Sequence, residues 1–243
     1  TFDEELFRCR IVNMLESGAD ILDLGACSTR PGSESICEEE EWRRLEPALN
    51  ILASEHAGVK ISIDTFRPAV VSRAFDIIGP FIVNDVSGGS EEMWSLLGRL
   101  HLPYIAMHTR GTPKNMQNLT DYDNVTEAVR EFFEGIAAEA DRHGVEDWIL
   151  DPGFGFAKTV EQNWQLLREM SVLQEFGKDI LVGLSRKSFL FRPLGITPAD
   201  ALPATQVADF IALQNGADIL RVHDVAEAVR TIKLYRLFNG VNN

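Results

Sequence analysis

The sequence predicts an α/β protein of the (β/α)8 TIM-barrel class. Seven short apolar runs alternate with amphipathic segments, and polar residues gather where each apolar run ends. The chain has 243 residues, of which 45% are hydrophobic and 25% are charged, which is enough for one barrel with a complete core. We therefore expect a single domain over residues 1–243.

The predicted strands are short apolar runs, and a loop that contains glycine or polar residues follows each of them. In chain order they are residues 21–25, 60–64, 81–85, 103–107, 148–151, 180–184 and 219–223. Runs of this length between helical segments are typical of the buried parallel strands of a barrel.

The predicted helices carry apolar residues at three- and four-residue spacing, with charged residues between them. They are residues 3–17, 38–55, 68–76, 91–100, 125–143, 160–173, 198–215 and 226–238. Capping signals mark three starts: Ser35 with Glu38, Thr159 with Gln162, and Thr197 before Pro198.

Eight helices and seven strands leave one strand of the barrel missing. The chain opens directly on a helix, and an eight-stranded barrel does not close with seven strands. We therefore expect the first strand to precede Thr1.

Composition excludes several classes of function. The formal net charge of −14 is unsuited to a nucleic-acid partner, and no apolar run is long enough to span a membrane. Cys9, Cys27 and Cys37 are too few and too irregular for a disulfide framework, so we expect reduced thiols with no catalytic role. These features predict a cytoplasmic protein.

Polar residues at the predicted strand ends are the candidates for a substrate site, because the carboxyl ends of the strands build the active site of a parallel barrel. Asp64, Asn84, Asp151 and Lys187 offer the donors and acceptors that recognise a flat heterocycle with amide and amino edges. Arg221, His223 and Arg30 supply positive charge for an anion such as diphosphate.

Other polar residues have structural explanations. A buried aspartate at a strand end caps a helix or holds a loop about as often as it binds a substrate, and we interpret Asp23, Asp85 and Asp224 as such supports. Gly88 and Gly89 indicate a tight turn, because the rest of a phosphate-binding loop is absent from their surroundings. His56, His101 and His143 lie near helix ends and are expected at the surface.

Seven ordered motifs resemble those of dihydropteroate synthases, a family of pterin-binding enzymes, over essentially the whole chain. They are residues 28–32 (Ser-Thr-Arg-Pro-Gly), 61–65 (Ile-Ser-Ile-Asp-Thr), 84–88 (Asn-Asp-Val-Ser-Gly), 107–117 (Met-His through Met-Gln), 151–156 (Asp-Pro-Gly-Phe-Gly-Phe), 185–188 (Ser-Arg-Lys-Ser) and 221–224 (Arg-Val-His-Asp).

The resemblance implies specific roles for residues of these motifs. The pterin would bind Asp64, Asn84, Met107, Asp151, Gly183, Lys187 and Arg221. The diphosphate would contact Asn84, Arg221 and His223. The 4-aminobenzoate site, for which sulfonamides compete, would comprise Thr29, Arg30, Pro31, Phe156, Lys187 and Ser188.

The reaction implied by the resemblance is transfer of the dihydropterin methylene group to the nitrogen of 4-aminobenzoate, with diphosphate leaving. Asp64, Asp151, Lys187, Arg221 and His223 would stabilise the transition state, and no residue is needed as a general acid or base. The resemblance also implies a Mg2+ cofactor and a homodimer formed by helices away from the active site.

The sequence departs from the family at one important place. The family carries an Asn-x-Thr-Pro-Asp-Ser-Phe motif on its first strand, whose Asn contributes to the diphosphate and metal site, and this motif does not occur here. The metal ligand is therefore unknown. Ala26-Cys27, where the family often has Gly-Glu, is a smaller departure.

Two other functions remain open. A methyltransferase barrel that uses methyltetrahydrofolate shares the carboxylates that bind the pterin, although the Ser-Thr-Arg-Pro, Ser-Arg-Lys-Ser and Arg-Val-His motifs favour the synthase. An inactive barrel that binds a pterin or a protein partner is supported only by the missing first-strand motif.

Overall fold

A computed structural model describes residues 2–26, 36–111 and 115–241, with only the backbone at Gln117. The chain divides into two compact units: Thr1–Met107 with Ile136–Trp148, and His108–Gly135 with Ile149–Asn243. The single domain over residues 1–243 stays a prediction.

The first unit contains four parallel strands, adjacent in chain order. They are β1 (Ile21–Gly25), β2 (Lys60–Asp64), β3 (Ile82–Asp85) and β4 (Tyr104–Met107). Their register places Gly25 beside Asp64 and Asp64 beside Asn84. The polar carboxyl ends of β1, β2 and β3 therefore lie at the same edge of this sheet.

Helices alternate with the strands of the first unit, and the first helix precedes β1. They are α1 (Glu4–Glu16), α2 (Glu38–Glu55), α3 (Pro68–Ile78) and α4 (Glu91–Leu100), together with the last part of α5 (Val125–His143). Asp3 and Ser90 accept hydrogen bonds from the backbone nitrogens of Leu6 and Met93, and so cap α1 and α4. The helices and strands enclose a core whose members include Leu49, Ile63, Val70, Val83 and Leu97.

The second unit continues the alternation with shorter strands. It contains the last three residues of β5 (Trp148–Asp151), then β6 (Leu181–Val182) and β7 (Ile219–Leu220), with α6 (Val160–Glu169), α7 (Ser188–Phe191), α8 (Leu202–Gln214) and α9 (Val225–Phe238). Strands β6 and β7 pair in parallel, and Leu150 of β5 forms a parallel bridge with Ile180. Short 3-10 helices occupy Met116–Asn118, Met170–Phe176 and Pro198–Asp200.

The structure confirms the predicted order of helices and strands and the α/β class. The capping box of Thr159 and Gln162 is present: each side chain bonds the backbone nitrogen of the other residue. No helix in the described ranges has the length and apolar character needed to cross a membrane. The strand expected before Thr1 stays a prediction.

Two predicted strands were too long. Strands 180–184 and 219–223 shorten to Leu181–Val182 and Ile219–Leu220. The backbone nitrogen of Arg221 still donates to Val182 O, but the two segments then diverge, and Gly183 and Arg221 lie beyond the ladder. These residues therefore belong to loops at the strand ends.

Two predicted helices are divided by backbone geometry. Helix 160–173 leaves the α conformation at Glu169, whose ψ is 0°, and continues as a 3-10 helix. Helix 198–215 is interrupted at Ala201, also with ψ of 0°, and restarts at Leu202 with a proline in its first turn. Helix α7 was not predicted, because four residues are too few for a periodic signal.

Two smaller predictions were wrong. The predicted bounds of α2 are confirmed, but its N-cap is Cys37, without a side-chain cap bond, and not the expected Ser35, which lies outside the described residues. The His143 side chain is largely buried, with Nε2 3.4 Å from Glu91 Oε1, because α4 and the end of α5 pack together. His101 is exposed, as expected.

Asp209 on α8 is expected to make stability depend on pH. The side chain is buried, its Oδ1 has no hydrogen-bond partner in the described part of the chain, and burial raises its pKa to about 7. As pH rises from about 4 to 7, the carboxyl ionises in the unfolded chain but resists ionisation in the folded one. The free energy of unfolding should therefore fall over this range, by at most about 4 kcal/mol from this group.

Asp209→Asn should remove this dependence and raise the free energy of unfolding at pH 8 by about 1–3 kcal/mol, since an amide carries no charge to desolvate. Urea unfolding at pH 5 and pH 8 measures the effect. The exposed Asp141→Asn serves as the control and should behave as the unaltered protein does. Equal pH dependence with and without Asp209 would contradict the assignment.

Candidate active site

Asp64 and Asn84 form a buried polar pair at the strand ends of the first unit. Their backbones are register partners, and their side chains are 7% and 1% exposed. Asn84 Nδ2 donates to Asp23 Oδ1 at 3.3 Å, and Ser62 Oγ donates to the same oxygen at 2.5 Å. Asp23 thus supports Asn84 from inside β1, in agreement with its predicted structural role.

Gly25 and Met107 lie at the carboxyl ends of β1 and β4 in the first unit. A Cβ atom at Gly25 would lie 3.3 Å from the Cβ of Asp64, so the missing side chain keeps this carboxylate uncrowded. Met107, predicted to line the pterin pocket, is buried at the end of β4.

Asp85 has the predicted structural role. Its carboxylate accepts hydrogen bonds from the Tyr104 hydroxyl at 3.1 Å and from the backbone nitrogen of Ser87 at 2.7 Å. Burial raises the pKa of Asp85. The turn after β3 lies at Val86 and Ser87, one to two residues before the predicted position, and Gly88 and Gly89 follow it with φ of 85° and 86°, a conformation that favours glycine.

Asp151 is the central carboxylate of the second unit. It ends β5 with only 4% of its surface exposed, and its Oδ1 accepts a hydrogen bond from Gly153 N at 2.8 Å. Burial raises its pKa, whereas the charge of Lys187, this hydrogen bond, and then the charges of Arg221 and Lys158 act in the opposite direction. The charges of three basic side chains therefore act on one buried carboxylate.

Lys187 contacts the loop that follows β5. Its Nζ donates to Phe154 O and lies 4.7 Å from the centroid of the Phe156 ring. Burial lowers the pKa of Lys187 to about 8, although the nearby Asp151 carboxylate raises it. The ammonium is thus held by a carbonyl, an aromatic face and a counter-charge.

Gly183 opens the space between Lys187 and Arg221. A Cβ atom at this position would lie 3.8 Å from Lys187 Nζ and 3.9 Å from the Cβ of Arg221. A larger side chain here would extend between the two cations. The structure therefore brings together Asp151, Gly183, Lys187 and Arg221, all four of which were predicted from the sequence.

Ser185 and Asp224 position two neighbouring basic residues. His223 Nδ1 lies 2.9 Å from Ser185 Oγ, and the backbone nitrogen of His223 donates to the same hydroxyl at 3.3 Å. Asp224 accepts two hydrogen bonds from the Arg186 guanidinium, at 2.9 and 2.8 Å, which lower its pKa. Asp224 is thus a structural support, as predicted, because it forms an ion pair with Arg186.

The predicted 4-aminobenzoate residues are only partly described. Phe156 and Ser188 lie in the second unit and are half-buried, and Ser188 begins α7 immediately after Lys187. Thr29, Arg30 and Pro31 lie outside the described residues. Their roles stay predictions.

Sequence reasoning missed three buried polar residues around the loop after β5. Asn163 accepts a hydrogen bond from Gly155 N at 2.6 Å, and Lys158 Nζ bonds His108 Nδ1 at 2.9 Å. His108 lies inside one recognised motif and Lys158 lies two residues beyond another, but no local pattern indicates that the two side chains meet. Asn163 lies in the first turn of α6 and had no distinguishing signal.

Among the described residues, the side chains proposed to bind substrate include no group of three that could hold Mg2+ by themselves. The one group of three metal-ligand side chains found in the described ranges is Glu91, Glu139 and His143, and Arg142 already pairs with both glutamates. Mg2+ prefers oxygen ligands and commonly relies on substrate phosphates. The predicted Mg2+ is therefore not assigned to any residue of this chain.

Comparisons with known proteins identify the family. The family model described as pterin binding enzyme matches residues 5–223. A dihydropteroate synthase of Synechocystis is 42% identical over 226 residues, which cover 91% of this chain and 78% of that protein.

Two solved structures have the same fold. Yersinia pestis dihydropteroate synthase, in complex with a sulfonamide drug, is 33% identical with a TM-score of 0.91, covering 96% of this chain and 85% of that one. The Thermus thermophilus enzyme, in complex with 4-aminobenzoate, is 38% identical with a TM-score of 0.88, covering 94% and 88%. The (β/α)8 barrel class is thereby confirmed, and the chain is a transferase that belongs to the dihydropteroate synthase family of pterin-binding enzymes.

Proposed function

We propose that this chain condenses 6-hydroxymethyl-7,8-dihydropterin diphosphate with 4-aminobenzoate to give 7,8-dihydropteroate and diphosphate, a step of folate biosynthesis. The observation that carries the proposal is the group of Asp151, Lys187, Arg221 and Gly183 at the strand ends of the second unit. It combines a hydrogen-bonding carboxylate with two cations, which suits a substrate that is both a heterocycle and an anion.

In this reaction the bond between the pterin methylene carbon and the diphosphate oxygen breaks, and diphosphate leaves with the electron pair. The arylamine nitrogen then bonds to the same carbon and releases a proton to solvent. A path in which the first bond breaks early develops a cationic pterin and a leaving anion together. The protein therefore has to stabilise opposite charges at two places.

We assign the pterin to Asp64, Asn84, Met107, Asp151, Gly183, Lys187 and Arg221. Within the first unit, this assignment is supported by the buried, register-paired Asp64 and Asn84. Within the second, it is supported by Asp151, a buried acceptor for the N–H groups of an aminopyrimidinone edge. The carboxylates of Asp64 and Asp151 would also stabilise the developing pterin cation.

We assign the diphosphate to Asn84, Arg221 and His223. Arg221 follows β7 directly, and Ser185 fixes the imidazole of His223 two residues later. A guanidinium and an imidazole that are held at one strand end can stabilise the charge of a leaving diphosphate. Mg2+, when bound with the substrate, would supply further neutralisation of the diphosphate.

We assign 4-aminobenzoate, and the sulfonamides that compete with it, to Phe156, Lys187 and Ser188 together with Thr29, Arg30 and Pro31. The Phe156 ring offers an aromatic face beside the Lys187 ammonium. Such a pair suits a flat aromatic ring that carries a carboxylate.

Phe156→Ala should raise the KM for 4-aminobenzoate about tenfold and change kcat much less, because it removes one face of the aromatic site and leaves the pterin residues in place. Steady-state kinetics with each substrate varied in turn measures the difference. Phe156→Leu keeps apolar bulk, so its KM for 4-aminobenzoate should lie between that of the unaltered protein and that of Phe156→Ala. An equal rise in both KM values would contradict the assignment of Phe156.

The decisive experiment measures diphosphate release from dihydropterin diphosphate, with and without 4-aminobenzoate and with and without Mg2+. It should be run on the 243-residue chain and on a chain that includes any residues preceding Thr1 in the native polypeptide. Release that requires 4-aminobenzoate supports the synthase. Pterin binding with no release from either chain would favour the inactive pterin-binding barrel, and methyl transfer from methyltetrahydrofolate would favour the methyltransferase.

We also infer a homodimer that forms through α8 and α9. These helices expose Val207, Leu234, Leu237 and Phe238, which are 60 to 76% exposed in the single chain. Light scattering on the purified protein measures the molar mass and would exclude the dimer if it gave about 27 kDa at all concentrations.

A cytoplasmic location stays a prediction.

A further inference from the structure

Lys158 is a buried cation that the proposed chemistry does not use. Its side chain follows the loop after β5 and is 4% exposed. Its Nζ lies 2.9 Å from His108 Nδ1, 3.0 Å from Gly153 O and 3.2 Å from Phe156 O. An ammonium has three N–H donors, and each of them has one acceptor here.

The two carbonyls bonded by Lys158 bracket the loop that carries proposed substrate residues. Between them lies Phe154, whose carbonyl accepts the hydrogen bond from Lys187 Nζ. Phe156 itself places its ring against the Lys187 ammonium. Lys158 and Lys187 therefore hold neighbouring peptide groups of the same short segment.

The backbone of this loop allows little freedom for another arrangement. Asn163 accepts from Gly155 N, and Asp151 accepts from Gly153 N. Gly153 has φ of 67°, and a Cβ atom there would lie 1.9 Å from His108 O. The loop thus depends on close contact with the residue that also binds Lys158.

His108 fixes the third N–H of Lys158. Its side chain is 3% exposed and meets the Phe132 ring edge to face, with 5.2 Å between centroids. Burial, with the charge of Lys158 next, lowers the pKa of His108 to about 2, so the imidazole is neutral. An ammonium can only donate, so while Lys158 is protonated Nδ1 accepts its hydrogen bond and the ring proton is on Nε2. The backbone nitrogen of His108 also donates to Asp151 O at 2.9 Å.

We propose that Lys158, oriented by His108, is a positioning residue that fixes the Gly153–Phe156 backbone so that Phe156 and Lys187 are placed to receive 4-aminobenzoate. The proposal rests on the substrate roles assigned above to Phe156 and Lys187. Lys158 itself is not a catalytic residue, because its ammonium is enclosed and all three donors are used within the protein.

The first test replaces Lys158 by methionine, which keeps the unbranched length but removes all three donors. The KM for 4-aminobenzoate should rise about 10- to 100-fold. The Kd for the pterin should change less than about threefold, because Asp151 keeps its bond to Gly153 N and the charges of Lys187 and Arg221, which act on its pKa more strongly than that of Lys158, remain. A merely structural loss would reduce the folded fraction, which lowers kcat and leaves both KM values unchanged. That outcome would overturn the proposal.

Two further variants separate positioning from folding. His108→Phe keeps the ring against Phe132 but removes the acceptor for Lys158, and should raise the same KM by a smaller factor. His108→Gln, which restores an acceptor oxygen, should recover part of the loss. The exposed Lys60→Met serves as the control and should leave both KM values unchanged.

Hydrogen–deuterium exchange tests the proposal independently of activity. The amides of Gly155 and Phe156 should exchange at least about tenfold faster in Lys158→Met, whereas amides in the core of α6 keep their protection. Faster exchange in a chain that shows no synthase activity would support the positioning and reject the function. Unchanged exchange together with an unchanged KM in an active enzyme would reject the positioning alone.

Discussion

Lys187→Ala is expected to reduce kcat/KM on the order of 100- to 1000-fold and to abolish measurable pterin binding. The variant removes an ammonium that donates to Phe154 O, faces the Phe156 ring and carries a charge that acts on Asp151. It leaves the buried Asp151 with less compensating charge, so the carboxyl is protonated more readily and accepts hydrogen bonds less well. One substitution thus removes a donor and weakens an acceptor.

The measurement is the Kd of a pterin ligand by calorimetry, together with diphosphate release at saturating 4-aminobenzoate. Lys187→Arg should not restore activity, because a planar guanidinium does not fit the geometry of a single ammonium between a carbonyl and a ring. Lys60→Ala, at an exposed lysine of β2, is the control. Unchanged pterin affinity in Lys187→Ala would remove Lys187 from the pterin residues.

The sequence was most informative about the buried parallel strands, because burial determines both their apolar pattern and their position in the sheet. Apolar runs of four or five residues marked β1 to β5 to within one residue, because buried parallel strands tolerate few polar residues. The same rule placed Asp64, Asn84 and Asp151 at strand ends. The pairing of Asp64 with Asn84 then followed from the parallel register.

The boundaries of β6 and β7 were beyond prediction because the apolar run continues past the last ladder bond. Residues 183–184 and 221–222 include apolar side chains, yet the backbone leaves the sheet after Val182 and Leu220. An apolar pattern indicates burial, and after β6 burial continues to Leu184 in the loop. The ladder ends where the two segments diverge, which depends on tertiary contacts.

The contact of Lys158 with His108 was also beyond prediction, for a different reason. The two residues are 50 positions apart, and a lysine is rarely buried. Nothing local in the sequence indicates that one ammonium will bond two carbonyls of its own loop and an imidazole from another strand end. Such contacts depend on how the tertiary fold brings distant segments together.

Asp151→Asn is expected to lower pterin affinity about 100-fold or more at pH 7 and to change how binding depends on pH. The amide can still accept the hydrogen bond from Gly153 N, so the loop should keep its conformation. It cannot offer a charged acceptor to N–H groups of the substrate, and hydrogen bonds to charged groups contribute about 1.5–3 kcal/mol each.

The pH dependence follows from the two lysines beside this carboxylate. Burial lowers the pKa of Lys187 to about 8 and that of Lys158 to about 7, and the negative charge of Asp151 opposes both shifts. Without that charge both pKa values should fall, so each lysine loses its proton at a lower pH. Pterin affinity that declines through about pH 8 in the unaltered protein should therefore decline at a lower pH in Asp151→Asn.

Binding measured from pH 6 to pH 9 distinguishes this effect from a loss of folded protein. Asp85→Asn is the matched control, because Asp85 is a buried aspartate whose partners are Tyr104 and Ser87. It should reduce thermal stability without moving the pH at which affinity declines. If both variants shift that pH equally, the charge of Asp151 does not control the lysines. If only Asp151→Asn shifts it, one carboxylate both recognises the pterin and keeps the neighbouring ammonium groups charged near neutral pH.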